Sequence, residues 1–242
     1  MTPNTKRIAI IPARGGSKRI PNKNCKEFLG TPAILRTISV LSSSSIFDQI
    51  IVTSDSDFIL EMITTSVALG LKRPLELAED TTPTVPVVRH AIEALSLEAD
   101  SLVCCVYPIN PFVTAETIIS GLEMLISADS ADYVCPVVSY PYPPQRALLR
   151  DENGLLNFEK PEYTWVRSQD LTELYHDAGQ WYWGRAQTWQ LEKPMLMNTI
   201  GKVVPRWMAQ DIDTQEDWEY AELLFEVLER RNLQKGPISP AR

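Results

Sequence analysis

Residues 7–24 read RIAIIPARGGSKRIPNKN, and the fold is decided there. The first six residues are almost continuously apolar, the pattern of a strand buried on both faces in a parallel sheet. A polar loop with two glycines follows, and then Ile34, Leu35, Ile38 and Leu41 recur at helical spacing over residues 32–42. A strand–loop–helix order puts the loop at the carboxyl end of the strand, where α/β sheets receive ligands. Gly15 and Gly16 let the backbone come close, and exposed amides in such turns attract anions. Arg14, Lys18, Arg19 and Lys23 add positive charge, so a polyphosphate is the expected guest and a solvated basic loop the plain alternative. Neither GxxxxGK[ST] nor GxGxxG is present, which argues against a Walker loop and against a dinucleotide dehydrogenase.

Beyond the loop, strands and helices alternate. Strands are expected at residues 49–54 (QIIVTS), 101–107 (SLVCCVY) and 133–138, and helices at 57–69, from the end of loop 73–86 through 97, and at 114–128 with Thr114 as cap. This rhythm means an α/β fold, a mostly parallel, helix-covered sheet of the Rossmann-like nucleotidyltransferase kind. It breaks at YPYPP (residues 140–144), which cannot sit in a central strand. Residues 180–183 and 201–204 return to the sheet, and 213–232 form a closing amphipathic helix with Trp218, Leu224, Phe225 and Leu228 inward. The expected organisation is one domain over residues 1–232, with an inserted lobe suited to dimer contact at about 139–175 and a flexible tail at 233–242.

Composition narrows the partners. The chain has 242 residues, 44% of them hydrophobic and 22% charged, with a net charge of -8. That is enough apolar surface to offset ordering entropy, and an acidic total disfavours binding to DNA or anionic membrane by charge alone. Yet residues 1–36 hold eight basic residues against one acid, Glu27, so an anionic ligand is expected in one place. No stretch reaches the roughly 18 apolar residues of a membrane helix. Cys25, Cys104, Cys105 and Cys135 lack CxxC spacing and read as reduced thiols of a cytoplasmic protein. His90 and His176 have no metal-site spacing around them, and Asp211 and Asp213, two apart, can face one hard cation or simply begin a helix.

Four ordered segments carry a resemblance: IPARGGSKRIPNKN (11–24), IIVTSD (50–55), RPLELAEDTTPT (73–84) and DIDTQEDW (211–218). Together they resemble the CMP-sugar acid synthetases, the cytidylyltransferases that activate sialic acid and related nonulosonic acids. The likeness spans about residues 7–232. It implies a reaction of CTP with a sugar acid to give a CMP-sugar and pyrophosphate, in a homodimer and with Mg²⁺. By position it implies that Arg14, Gly16, Ser17, Lys23 and Asn24 hold the triphosphate and ribose, with Arg14 and Lys23 catalytic. Arg73 would meet the cytosine edge, and Thr82 and Thr84 would stand near the nucleotide. Asp211, the more direct participant, and Asp213 would hold Mg²⁺, Asp213 serving also as helix cap.

The sugar is read from residues 167–183, RSQDLTELYHDAGQWYW. Sialic acid enzymes carry an RxNG-like turn where His176, Asp177 and Ala178 stand, and a QPTSP-like segment where Tyr107-Pro108-Ile109-Asn110-Pro111 stands. These departures point away from N-acetylneuraminic acid. RSQDL with YHDAGQ resembles instead the pseudaminic acid cytidylyltransferases of bacterial flagellin and surface glycan modification. Arg167, then Arg146, is the expected partner of the sugar carboxylate, since a guanidinium pairs with it bidentately. Gln169, His176 and Asp177 are candidates for hydroxyl and amide groups. Trp181 and Trp183 alternate on a strand and are expected in the core or a dimer contact. The alternatives are a CMP-N-acetylneuraminate or other nonulosonate enzyme, a CMP-Kdo enzyme, a nucleotide-sugar glycosyltransferase using Asp55-Ser56-Asp57 as a DxD motif, and a non-catalytic nucleotide binder.

Overall fold

The apolar run at residues 7–12 forms β1 (Arg7–Pro12), which lies inside an eight-stranded sheet. The computed structural model describes residues 5–17, 19–128 and 130–235, so Lys18 lies outside the described residues. A short hairpin of β2 (Glu27–Phe28) and β3 (Thr31–Pro32) leads into α1 (Ala33–Ser43). There follow β4 (Gln49–Ser54), α2 (Asp57–Met62), β5 (Leu69–Lys72), α3 (Thr84–Ala94), β6 (Leu102–Val106), α4 (Ala115–Ser127) and β7 (Tyr133–Ser139). A second hairpin, β8 (Leu148–Arg150) and β9 (Leu156–Phe158), stands apart from the main sheet. The chain closes with β10 (Tyr175–Asp177), β11 (Trp181–Arg185), α5 (Ala186–Gln190), β12 (Thr199–Val203) and α6 (Gln215–Lys235).

Strands β6, β1, β4 and β5 are parallel neighbours in that order. The chain therefore winds from β1 outward through β4 and β5, then returns to lay β6 on the other side of β1. The carboxyl ends of β1 and β6 flank this reversal, the place where open α/β sheets form a ligand crevice. Beyond β6 the sheet becomes mixed. β11 runs antiparallel between β6 and β7, β10 pairs antiparallel with the end of β7, and β12 pairs parallel with β7.

Successive residues of β1 face opposite layers. Ala9 and Ile11 join the apolar faces of α1, α2 and α4, whereas Ile8 and Ile10 join those of α3 and α5. Both layers are lined by buried side chains, and Trp181 and Trp183 are fully buried in the first of them, so these tryptophans belong to the core. A third cluster gathers Phe28, Phe112, Ala178, Met208, Ile212 and Trp218 where α6 closes over the loops beside the crevice.

Two local expectations are corrected. The helix expected over residues 57–69 ends at Met62, and residues 69–72 form a strand parallel to β4. The hydroxyls of Thr64, Thr65 and Ser66 each donate to the carbonyl three residues back, an arrangement that competes with continued helix. The cap of α6 is Thr214 rather than Asp213. Thr214 Oγ1 accepts from the Asp217 amide at 3.2 Å, and the Asp217 carboxylate accepts from the Thr214 amide at 2.7 Å. Thr114 does cap α4 as expected, with Thr117 completing the box.

Residues 139–175 hold the β8–β9 hairpin and three single turns of 3₁₀ helix. Its large apolar side chains point to solvent: Tyr142, Leu148, Leu149, Leu155, Leu156 and Trp165, the last 93% exposed. The helix α6 runs to Lys235, and of the tail expected at 233–242 residues 236–242 lie outside the described residues.

Close packing between α4 and β11 depends on Gly121, where a Cβ would fall inside the indole of the buried Trp181. Alanine would gain about 1 kcal/mol of helix propensity. Overpacking a filled core costs about 1–3 kcal/mol, and no solvent-side movement of Trp181 is open to relieve it. Gly121→Ala is therefore expected to lower the urea midpoint with an unchanged m-value; an equal or higher midpoint would refute the packing argument.

Candidate active site

The crevice at the reversal of strand order is a cavity of about 530 Å³, walled by segments far apart in sequence. Arg14, Ser17, Arg19, Lys23 and Asn24 come from the loop after β1. Arg73, Asp80 and Thr82 come from the segment between β5 and α3, Thr84 from the first residue of α3, and Tyr107, Pro108 and Ile109 from the loop after β6. Gly179 lies opposite, and Gln210, Asp211 and Asp213 arrive from the loop before α6.

The loop after β1 is held from beneath. The Gly15 amide donates to Asp55 Oδ1 at 3.0 Å, and a Cβ on Gly15 would come within 2.7 Å of Ser56 Cβ, so only glycine allows this approach. Asn24 Nδ2 donates to the Arg14 carbonyl at 2.8 Å and folds the loop on itself. Gly16 has open space beside it and is not among the residues that wall the cavity. Asp55 Oδ1 also accepts from Arg73 Nη2 at 3.4 Å. Arg73 is only 4% exposed, and its Nε has no protein partner. Burial lowers the pKa of this guanidinium, the Arg14 charge adds to that, and Asp55 opposes both by hydrogen bond and charge. A buried cation with an unmet donor at a cavity wall is suited to an anionic or carbonyl-bearing ligand.

Cations and carboxylates face each other across the cavity. Arg19 Nη1 lies 2.5 Å from Asp213 Oδ2, and Lys23 Nζ lies 3.5 Å from Asp213 Oδ1. Arg14 pairs with Asp80. These pairs are partly exposed, and such pairs contribute about 1 kcal/mol or less. An incoming polyphosphate can therefore displace them at little cost. Burial, and then the charge of Asp213, raise the pKa of Asp211, while Lys23 and Arg19 pull it back. Two carboxylates crowded in this way suit a divalent cation, which would relieve their repulsion.

The remaining candidates lie elsewhere. Arg146, Arg167, Gln169, His176 and Asp177 are not among the residues lining the cavity. Arg167 is engaged by Asp170 through contacts of 2.8 and 3.2 Å, and Arg146 donates to Ser168 Oγ at 3.2 Å, both within the 139–175 segment. His176 Nδ1 is 2.9 Å from the Asp177 carbonyl, and its ring packs on Tyr140. Asp177 accepts a hydrogen bond from the Tyr182 hydroxyl. The Asp55-Ser56-Asp57 triplet does not form a shared acidic site. Asp55 holds Gly15 and Arg73, Ser56 caps α2, and the exposed Asp57 pairs with Lys72 at 2.5 Å.

Asp80 and Gln210 were not singled out from sequence, and Asp55, Tyr107 and Gly179 appeared there only within motifs, without the places they take here. Asp55 and Tyr107 immediately follow β4 and β6, so position after a parallel strand was the available signal. Asp80 sits inside the RPLELAED segment, where its role as partner of Arg14 depends on a contact 66 residues away.

Known proteins share both the sequence pattern and the fold. The chain matches the cytidylyltransferase family over residues 8–204. It is 37% identical over 231 residues to the pseudaminic acid cytidylyltransferase of Campylobacter jejuni subsp. jejuni serotype O:2, covering 92% of this chain and 97% of that protein. It is 28% identical over 232 residues to the N-acylneuraminate cytidylyltransferase of Escherichia coli O18:K1:H7, covering 96% of this chain and 54% of that one. The solved structure of CMP:2-keto-3-deoxy-manno-octonic acid synthetase complexed with CTP shares the fold, with a TM-score of 0.68 at 14% identity over 93% of this chain and 100% of that one. With a matched region from β1 to the end of β12 and a cavity built at the carboxyl ends of its strands, the chain belongs to the cytidylyltransferase family of nucleotidyltransferase enzymes.

Proposed function

We propose that the chain transfers the CMP group of CTP to the anomeric hydroxyl of pseudaminic acid and releases pyrophosphate. The observation that carries this reading is the cavity in which Arg14, Arg19 and Lys23 face Asp211 and Asp213, taken with 37% identity to a pseudaminic acid cytidylyltransferase. The sugar oxygen bonds to the α-phosphorus as the bond to the β-phosphate bridging oxygen breaks. The electron pair leaves with pyrophosphate, and the hydroxyl proton passes to water. Arg14, Arg19 and Lys23 meet the charge that builds on the leaving group, and fixed cations do this without the reorganisation that water requires. Ser17 and Asn24 bound the phosphate and ribose side, and Arg73 with Thr82 and Thr84 the cytidine side. Asp211 and Asp213 would hold Mg²⁺, which when bound neutralises phosphate oxygens and lowers the pKa of the attacking hydroxyl. The four free thiols suit a reducing cytoplasm.

A second copy of the chain is the proposed cover for the lobe at residues 139–175. Tyr142, Leu149, Leu155, Leu156 and Trp165 expose more apolar surface than a solvated lobe of this size ordinarily carries. Arg146 and Arg167 lie on the same lobe and are the proposed sugar-carboxylate cations, a role resting on their motif. No helix among the described residues is long and apolar enough to cross a membrane.

Pyrophosphate release with CTP and Mg²⁺ tests the reaction and the sugar together: turnover is expected with pseudaminic acid, and activity only with N-acetylneuraminate or Kdo would overturn the substrate assignment. Asp211→Ala is expected to keep the circular dichroism spectrum while kcat falls by about a hundredfold or more; near-normal turnover would remove the metal assignment. For the lobe, light scattering should give twice the mass of one chain, and Leu149→Asp with Trp165→Asp should give a single-chain mass. A wild-type chain that is monomeric at micromolar concentration would refute the dimer.

A further inference from the structure

The segment YHDAGQ (residues 175–180) is joined to the cavity by three separate routes, although only Gly179 lines it. Between β10 and β11 the register with β7 lapses after Asp177 and resumes at Trp183, although the Ala178 amide still donates to the Pro136 carbonyl at 2.9 Å; Gly179 takes φ +61 in this turn. The Gln180 carbonyl, which continues the β6–β11 register one residue past Trp181, accepts from the Tyr107 amide at 2.9 Å and from Asn110 Nδ2 at 3.0 Å. The Gln180 side chain donates to the Met208 carbonyl at 2.6 Å, three residues before Asp211. The third route runs through side chains. Asp177 accepts from the Tyr182 hydroxyl, the Tyr182 ring packs edge-on against that of Tyr107 with centroids 5.7 Å apart, and the Tyr107 hydroxyl lies 3.0 Å from Thr84 Oγ1 at the cavity wall.

Resting on the reading of the cavity as a CTP site, we infer that Asp177 is a positioning residue: through Tyr182 and Tyr107 it sets the Thr84 hydroxyl against the nucleotide, and it does not touch the sugar acid. Geometry supports this in two ways. Tyr182 is 2% exposed and packed with α3, and its hydroxyl donates to Asp177 while the Tyr107 hydroxyl lies beside it. Losing that acceptor removes the carboxylate to which a buried phenol donates, which favours reorientation of its ring and of the Tyr107 ring packed on it. The pKa of Tyr107 agrees with such a row. Burial pushes it up to about 12, the negative charge of Asp177 adds to the rise, and hydrogen bonding to Thr84 and Tyr182 opposes it. The assignment also accounts for an acidic residue that is absent from the cavity wall although its motif neighbour Gly179 is present there.

The test separates nucleotide binding from sugar binding. Calorimetry of CTP with the wild-type chain, without any sugar acid, comes first; no binding would overturn the CTP reading on which the inference rests. Given wild-type binding, Tyr182→Phe and Asp177→Ala should each weaken CTP about tenfold, the change one lost hydrogen bond carries. The double variant should be no worse than the worse single, because both remove one row. Asp177→Asn, whose side-chain oxygen can still accept from Tyr182, should restore most of the affinity. The KM for the sugar acid should stay unchanged in all of them. If Asp177→Ala does not fold, Tyr182→Phe and Asp177→Asn still decide. Wild-type CTP affinity in Tyr182→Phe, or a raised sugar-acid KM with unaltered CTP affinity in the Asp177 variants, would overturn the inference.

Discussion

Arg19 and Lys23 meet Asp213 across 190 or more residues of chain, and that meeting joins the loop after β1 to the segment before α6 at the cavity. The basic residues near the amino terminus would repel one another if left in water alone. The acidic start of α6 gives them counter-charges, and the contact continues outward through Lys26 with Gln215 and Trp218, and through the Leu29 amide with Glu222. Hydrophobic closure follows the same line, because Phe28 packs edge-on to Trp218 and Phe225. Individually the ion pairs are weak. Collectively they place cations and carboxylates on opposite walls of one crevice, and being weak they yield to a ligand carrying more charge than either wall.

Support for this crevice comes from beneath it. Asp55, at the end of β4, holds both the Gly15 amide and the buried Arg73 through a single oxygen. One carboxylate thus ties the loop after β1 to the segment after β5. On the far side, Gln180 extends the β6–β11 register to hold Tyr107 through its carbonyl and Met208 through its side chain. The mixed half of the sheet, β11 with β7 and β12, therefore frames the cavity as well as extending the core.

Elements with one strong periodicity were legible from sequence. β1, β4, α1 and α4 stand within a residue or two of where apolar spacing and Thr114 put them, because their burial partners are generic: any apolar layer satisfies them. The short strand at residues 69–72 was not legible. Gly70 interrupts its apolar character, and its strand conformation depends on hydrogen bonds to β4 that no local pattern announces. The phosphate loop, Arg73, Thr84 and the late aspartates, which fold to line one cavity, stood out in the sequence because their charged and polar groups are concentrated in short segments. Asp177 was read from its motif as a sugar ligand, and the hydrogen bond it accepts from the Tyr182 hydroxyl is a contact the motif alone does not announce.

By itself the sequence determined an alternating α/β chain, a glycine-bearing basic loop after the first strand, and two carboxylates before the last helix. These follow from local sterics, from periodicity and from charge, which a linear chain carries whatever its long-range contacts. Tertiary structure alone decided which carboxylate faces which cation. Asp213 was freed from capping by Thr214 and turned to Lys23 and Arg19, Asp55 was drawn under the loop, and Asp80 was set against Arg14. The physical reason is distance: Coulomb and hydrogen-bond energies fall off over a few ångströms, and only folding determines which residues come that close.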